Sequence, residues 1–222
     1  MLELDVTRHG TPRTILGRLS LRVAAGDRIC LLGPSGSGKT TLLNLIAGLD
    51  APSSGGGVTR EAALRIGYLF QEHRLLPWRT LRQNLLLVGA APEDVDTLLA
   101  RVDLAGHGDD LPDQLSLGMA RRAALARCLA VEPDLLLLDE PFASLDSRRA
   151  QALRACLGAL LEQHPQMAMI CVTHDAQDAA RLANRVWYLD GRPAQLRWDE
   201  RLAQDSDRAA VVQTLSRLAD PL

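Results

Sequence analysis

At 222 residues, 47% hydrophobic and 23% charged, the chain has the composition of a large one-core globular domain, which excludes disordered and fibrous classes. A net charge of -2 and only 3% aromatic residues remove both the electrostatic drive and the stacking platforms of a nucleic-acid binder. No apolar run reaches the ~18–20 residues that span a bilayer. The opening MLELDVTRHG also lacks the basic-then-apolar order of a secretory signal, so a cytoplasmic protein is expected.

In chain order, Leu2–Val6 and Leu19–Val23 alternate apolar and polar residues as half-buried strands do, with GTP at 10–12 as the turn between them. Arg28–Leu32 is a short apolar strand that runs into GPSGSGKTT, and LLNLIAGL then has helical spacing. The stretch 51–57 (APSSGGG) reads as a loop and Leu64–Phe70 as a returning strand. From Gln71 to about Leu125 the pattern is helical, interrupted by Pro77, Pro92 and Pro112. Leu135–Leu138 is the continuous apolar run of a strand buried on both faces. A helix over Ser147–Gln163, a buried strand over Met167–Val172 and a helix over Asp175–Asn184 follow. Arg185–Leu189 and Ala194–Leu196 form a hairpin about the Asp190-Gly191 turn, and 206–219 a closing helix. Strands alternating with helices around a largely helical insert predict an α/β core plus a helical subdomain.

Gly33–Thr40 fits G-x-x-x-x-G-K-[ST] between a strand and a helix, where the motif's mechanism needs it. The residues Gly33, Ser35, Gly36, Ser37, Gly38, Thr40 and Thr41 form a loop whose backbone N–H groups converge on phosphate oxygens. The helix from Lys39 adds its positive end. Of the chain's 25 basic residues, Lys39 is the single lysine; its compact charge on a flexible stem reaches β- and γ-phosphates as a rigid guanidinium does not. The alternative is a Gly/Ser turn that contains lysine by chance. Thr40 and, at the end of the Leu135–Leu138 run, Asp139 are candidate Mg²⁺ ligands. Glu140, one residue further, can orient or deprotonate a water attacking the γ-phosphorus. The plainer reading of Asp139 is a helix cap. The four cysteines, Cys30, Cys128, Cys156 and Cys171, match no zinc spacing and read as structural filler, Cys30 and Cys171 as buried thiols in apolar strand-like runs.

Four further stretches resemble the ATP-binding subunits of ABC (ATP-binding cassette) transporters. Phe70-Gln71-Glu72 resembles the Q-loop, Leu115-Ser116-Leu117-Gly118-Met119 the signature, Ser144-Leu145-Asp146 the D-loop and Thr173-His174-Asp175 the switch histidine. The resemblance implies one ATPase domain over 1–222. Its expected fold is α/β: a P-loop NTPase (RecA-like) core with a mainly parallel sheet over 1–71 and 126–222, an N-terminal antiparallel β subdomain, and an inserted helical subdomain over 72–125. It implies that Gln71 meets Mg²⁺ and the attacking water, that His174 donates to the γ-phosphate, and that Ser116, Gly118 and Asp146 meet nucleotide. The Ser116–Gly118 corner, opening a helix at Met119, would seal ATP held by a second, head-to-tail copy. His9 is aligned with the adenine-stacking position, Arg8 competes with it, and an exposed His9 without a site is the plain reading. Leu117 stands where the family has glycine: a positive φ there would be costly, a helix-start conformation would accept leucine.

FQEHRLLPW (70–78), LxxNL (81–85) and DEPFASLD (139–146) are most similar to the nitrate/sulfonate/taurine class of bacterial importers. That resemblance implies Mg·ATP as ligand, transmembrane permease subunits as partners, and a periplasmic or lipid-anchored substrate-binding protein in the system. The location would be the cytoplasmic face of the inner membrane. His73–Leu87 would receive a permease helix, with Trp78, Leu75 and Leu76 as its apolar contacts, unless Trp78 packs internally. Arg121, Arg122, Arg148 and Arg149 read as solvated helix surface. A small-molecule kinase and a subunit that binds ATP without hydrolysing it are the competing functions.

Overall fold

The computed structural model describes residues 1–9, 14–53, 56–143 and 145–202. The GTP turn, Ser144 and the expected helix at 206–219 lie outside the described residues. Two compact units emerge: Met1–Leu64 together with the chain from Gln166 onward, and Arg65–Pro165.

In the first unit, β1 (Leu2–His9) and β2 (Thr14–Val23) pair antiparallel, longer than the alternation alone predicts. Leu2 faces Val23, Leu4 faces Leu21 and Val6 faces Leu19, so the buried positions of both strands fall on one face. β3 is Arg28–Leu32 and β4 is Gly57–Arg60, an edge strand beyond β1 that starts at the last residue of the stretch read as loop. β3 is covered on both sides by parallel neighbours, β7 (Ala168–Val172) and β8 (Arg185–Gly191). β9 (Ala194–Arg201) returns antiparallel to β8 and meets β2 in parallel. The resulting order is β4-β1-β2-β9-β8-β3-β7. The hairpin turn is a correction. Asp190 and Gly191 remain in the ladder, opposite Gln195 and Ala194, and the connection is Arg192-Pro193 with a cis peptide bond. Proline has no N–H to give the ladder, so it sits where none is required. Asp27, buried just before β3, accepts hydrogen bonds from Arg185 (2.9 Å), Arg201 (3.1 Å) and the Ala24 N–H (3.0 Å), anchoring the strand that leads to the glycine loop. Helix α1 spans Lys39–Ala47 and α6 spans Ala176–Leu182, shorter than expected and packed on β3.

In the second unit, β5 (Ile66–Leu69) and β6 (Leu135–Asp139) pair in parallel. All four leucines of β6 are fully buried, each contributing on the order of 1.5–3 kcal/mol. α2 (Leu81–Leu86) starts at a reciprocal cap, the Thr80 hydroxyl accepting from the Gln83 N–H while the Gln83 side chain accepts from the Thr80 N–H. Pro92 and Pro112 open short 3₁₀ turns, one leading into α3 (Val95–Arg101), the other to Leu115. α4 (Leu117–Leu129) packs on β5, and α5 (Ser147–Gln163) follows β6.

Candidate functional site

The first unit carries the glycine loop. Gly36 and Gly38 adopt φ of 75° and 86°, and Gly33 lies so close to the Leu189 carbonyl that a Cβ would fall 2.1 Å from its oxygen. Lys39 is only 8% exposed. Its Nζ donates to the Gly33 carbonyl (2.9 Å) and the Pro34 carbonyl (2.8 Å), which holds the ammonium against the loop. α1 begins after Gly38 with no side-chain cap and no acidic residue in its first turn, so the helix itself supplies no anion to compete for its first N–H groups. Ser37 Oγ is buried with no hydrogen-bond partner among the described residues. A concentrated positive end, an ammonium and an orphaned hydroxyl fit a phosphate chain. Ser35 and Thr40 are exposed and Thr41 is half-buried.

His174 follows β7 on an exposed turn. Thr173 Oγ1 fixes that turn, donating to buried Asp178 (2.6 Å) and accepting from the Asp175 N–H (3.1 Å). His9 ends β1 opposite Thr14; its side chain lies outside the described set. Its competitor Arg8 is engaged elsewhere, with the Ala51 carbonyl (3.1 Å) and the Asp50 carboxylate (3.2 Å).

The second unit carries the carboxylates. Asp139 ends β6 at 3% exposure. The next long helix, α5, is capped by Asp146, whose Oδ1 accepts from the Arg149 N–H (2.9 Å). Asp139 is therefore no helix cap. Glu140 is half-buried with φ of 48°, a conformation uncommon for a residue with a Cβ. Its carbonyl accepts from Arg121 (3.0 Å) and from the Ala143 N–H (3.1 Å). Arg121 is thus not solvated surface: it is 5% exposed. Burial lowers its guanidinium's proton affinity, against the opposing pull of Glu140. Burial first, then the Asp139 carboxylate, pushes the Tyr68 phenol up.

Gln71 is exposed just beyond β5. Before it, Phe70 stacks on Tyr68 at 4.0 Å and lies under the Arg74 guanidinium at 3.8 Å. Arg127 of α4 donates to the carbonyls of Arg74 (2.7 Å) and His73 (3.2 Å). Desolvation, with Arg121 and Arg127 nearby, holds His73 below the ordinary imidazole range.

The signature segment opens α4 two residues earlier than expected. Ser116 is the N-cap, its Oγ accepting from the Met119 N–H (3.3 Å). Leu117 is the first helical residue, 45% exposed, and is not among the residues with positive φ. The helix start accepts leucine without strain, so the departure from glycine leaves the corner intact. Gly118 is buried, with a Cβ position 3.2 Å from Arg149 Cδ. Trp78 is 70% exposed and so does not pack internally. Leu75, by contrast, is buried and belongs to the core. Asn84 fixes the Trp78 turn: it accepts from the Leu76 N–H (2.8 Å) and donates to the Leu76, Arg79 and Thr80 carbonyls.

Sequence reasoning missed Arg121, Arg127 and Asp178 as parts of this framework. Arg121 had a signal: it lies three residues after Gly118 and four before Leu125, on the stripe that α4 buries. Among the described residues no group of three or more His, Cys, Asp or Glu could hold a metal ion. The expected ligands Thr40, Gln71 and Asp139 offer hydroxyl, amide and carboxylate oxygens, hard donors of the kind Mg²⁺ takes.

A family model described as ABC transporter matches residues 16–143. The chain belongs to the ABC transporter family. Within that family, this ABC protein is 43% identical over 208 residues to an aliphatic sulfonates import ATP-binding protein, SsuB 2, of Burkholderia cenocepacia, covering 88% of this chain and 76% of the relative. It is 42% identical over 220 residues to the SsuB 1 protein of Pseudomonas aeruginosa, covering 91% and 87%. Among solved structures, the dimeric ATP-binding cassette MJ0796, in a post-hydrolysis state with ADP and Pi, superposes with a TM-score of 0.80 at 28% identity. That match covers 92% of this chain and 100% of the other. The fold of this ABC protein is therefore the α/β P-loop NTPase fold of ABC cassettes, as the motifs led one to expect.

Proposed function

We propose that this chain is the ATP-hydrolysing subunit of an ABC importer of the sulfonate class, working as a head-to-tail pair of copies against membrane-embedded permease subunits. The observation that carries the reading is the Lys39 loop: an ammonium held by two loop carbonyls at an uncapped helix start, with a buried orphan hydroxyl beside it. Identity of about two-fifths to import ATP-binding proteins supports the importer class. The dimeric cassette neighbours support pairing.

In this reading the loop N–H groups of Gly33, Ser35, Gly36, Ser37, Gly38, Thr40 and Thr41 grip the phosphates, and Lys39 neutralises the β- and γ-oxygens. Thr40, Gln71 and Asp139 would hold Mg²⁺, which would supply positive charge against the charge that develops on the phosphate. Glu140 takes the proton of a water whose oxygen attacks the γ-phosphorus. The bond to the bridging oxygen breaks, and ADP leaves with inorganic phosphate as the second product. His174 donates a hydrogen bond to the γ-oxygens, and Gln71 orients the water. Ser116 and Gly118 close on the nucleotide of the partner copy beside Asp146, and His9 stacks on adenine. The division into a core over 1–71 and 126–222 and a helical insert over 72–125 belongs to the same proposal. So does a substrate-binding protein outside the membrane. The chain would sit at the cytoplasmic face through its permease.

Glu140→Gln is the test. It should bind ATP, form an ATP-dependent dimer on size exclusion, and release phosphate ~10²–10³-fold more slowly, a barrier increase of about 3–4 kcal/mol. Wild-type turnover by that variant would show that Glu140 is not the base. Transfer of phosphate to a metabolite would indicate a kinase, and binding without phosphate release a non-hydrolysing subunit.

A further inference from the structure

A buried guanidinium needs an explanation, because taking its charge out of water is costly unless polar groups receive it. Arg121 sits on the buried stripe of α4, and what receives it is the turn after β6. Its Nη1 donates to the Glu140 carbonyl at 3.0 Å and approaches the Pro141 carbonyl at 3.4 Å. Its Nε has no hydrogen-bond partner among the described residues, so those two carbonyls are where its specific anchoring is concentrated. The first of them belongs to a residue in a strained conformation. The φ of 48° at Glu140 lies in the left-handed region that a side chain with a Cβ disfavours. Such a state persists only where its surroundings over-determine it. A rigid, charged donor fixing the 140–141 peptide plane supplies that restraint, and the plane sets the direction in which the Glu140 side chain leaves the backbone.

We propose that Arg121 is a positioning residue for Glu140: by clamping the carbonyls of Glu140 and Pro141 it holds the carboxylate in its productive direction and ties it to the helix that Ser116 caps. The inference rests on Glu140 acting as the general base. Arg121 lies five positions along from Ser116, about 7.5 Å along the helix axis. A displacement of the α4 start is therefore transmitted to the Glu140 turn through one side chain. Closure of the Ser116 corner on a partner's nucleotide would thereby act on the carboxylate of its own copy.

The experiment uses the purified full chain and compares Arg121→Met, Arg121→Lys, Glu140→Gln and the double variant R121M/E140Q. Phosphate release, the KM for ATP and the thermal midpoint are measured for each. Arg121→Met should lower kcat at least ~10-fold with KM within ~2-fold of wild type. Arg121→Lys, which keeps a charged donor, should recover most of that loss. In the double variant the residual rate should equal that of Glu140→Gln alone, because the clamp then has no base to aim. Wild-type kcat in Arg121→Met while Glu140→Gln is impaired would overturn the inference and leave the base assignment standing. Wild-type kcat in Glu140→Gln would overturn the base assignment itself. A Met loss that Lys does not recover, or that multiplies with the Glu140→Gln loss, would also overturn the inference. If Arg121→Met shows no cooperative unfolding, Arg121→Gln decides: its amide falls short of the carbonyls, so kcat should drop at least ~5-fold at constant KM, and a wild-type value would refute the clamp.

Discussion

Two alanine substitutions in one loop separate backbone strain from steric collision. Gly36 and Gly38 both hold positive φ, 75° and 86°, so either change to alanine meets a conformational penalty of about 1–2 kcal/mol. Restricting the unfolded chain returns ~0.4–1 kcal/mol in each case. The sites differ in what a Cβ would touch. At Gly36 nothing lies within 4 Å; at Gly38 the Cβ would stand 2.7 Å from Leu16 Cδ2 and 3.0 Å from Ile15 Cγ2. Leu16 is fully buried in β2, so moving its methyl disturbs a packed core and adds about 1–3 kcal/mol. Gly36→Ala should cost about 0.5–1 kcal/mol net and Gly38→Ala about 1.5–4. At ~2–4 °C per kcal/mol for a chain of this size, that extra ~1–3 kcal/mol should separate the midpoints by about 2–12 °C in thermal unfolding followed by circular dichroism. Equal midpoints, or a lower one for Gly36→Ala, would refute the assignment of the loop's rigid and open sides. Gly36→Ala should still weaken ATP binding ~10-fold or more by equilibrium titration, since the open side is the one a phosphate must approach.

Leu117→Gly should leave kcat within ~2-fold of wild type and cost at most about 1 kcal/mol of stability; a large gain in phosphate release would mean the native leucine distorts the corner. Trp78→Asp should keep the hydrolysis rate of the isolated subunit while abolishing co-purification with its permease subunits, since the ring stands on a turn that Asn84 fixes independently of it. The Cys128 thiol, pushed up to about 12 by burial, should resist iodoacetamide at pH 8 in the native protein. Mass spectrometry should find no more than one carbamidomethyl group, at half-buried Cys156, and four after urea unfolding. Rapid native labelling of Cys128 would contradict the packing of α4 on β5.

What the sequence disclosed depended on how local each signal was. The Leu135–Leu138 run, the glycine loop and α5 could be read because run length, loop chemistry and helical period are written in consecutive residues. β4 escaped because Gly57–Arg60 is an edge strand without a buried face, sitting behind a Gly/Ser stretch that reads as loop. The hairpin turn was displaced because Asp-Gly is a strong local signal, yet the Arg185–Asp199 bonds at 2.6 Å lock the register two residues further along. Arg121 and Leu75 were misjudged by residue type alone: an Arg-Arg pair suggests solvent and an LLPW segment suggests a uniform apolar surface. Tertiary packing buries the first arginine and the first leucine. Leu117 shows the reverse, because only the cap at Ser116 decides whether its backbone needs glycine.

The capture of Lys39 Nζ by two carbonyls has a practical corollary. Apart from its terminus this polypeptide offers a single primary amine, and that amine reports on the loop. An acylating dye would therefore modify one interior position, at a speed governed by how often the ammonium leaves its carbonyl cradle. Occupancy by a triphosphate should be readable as protection of one tryptic site, without any engineered tag.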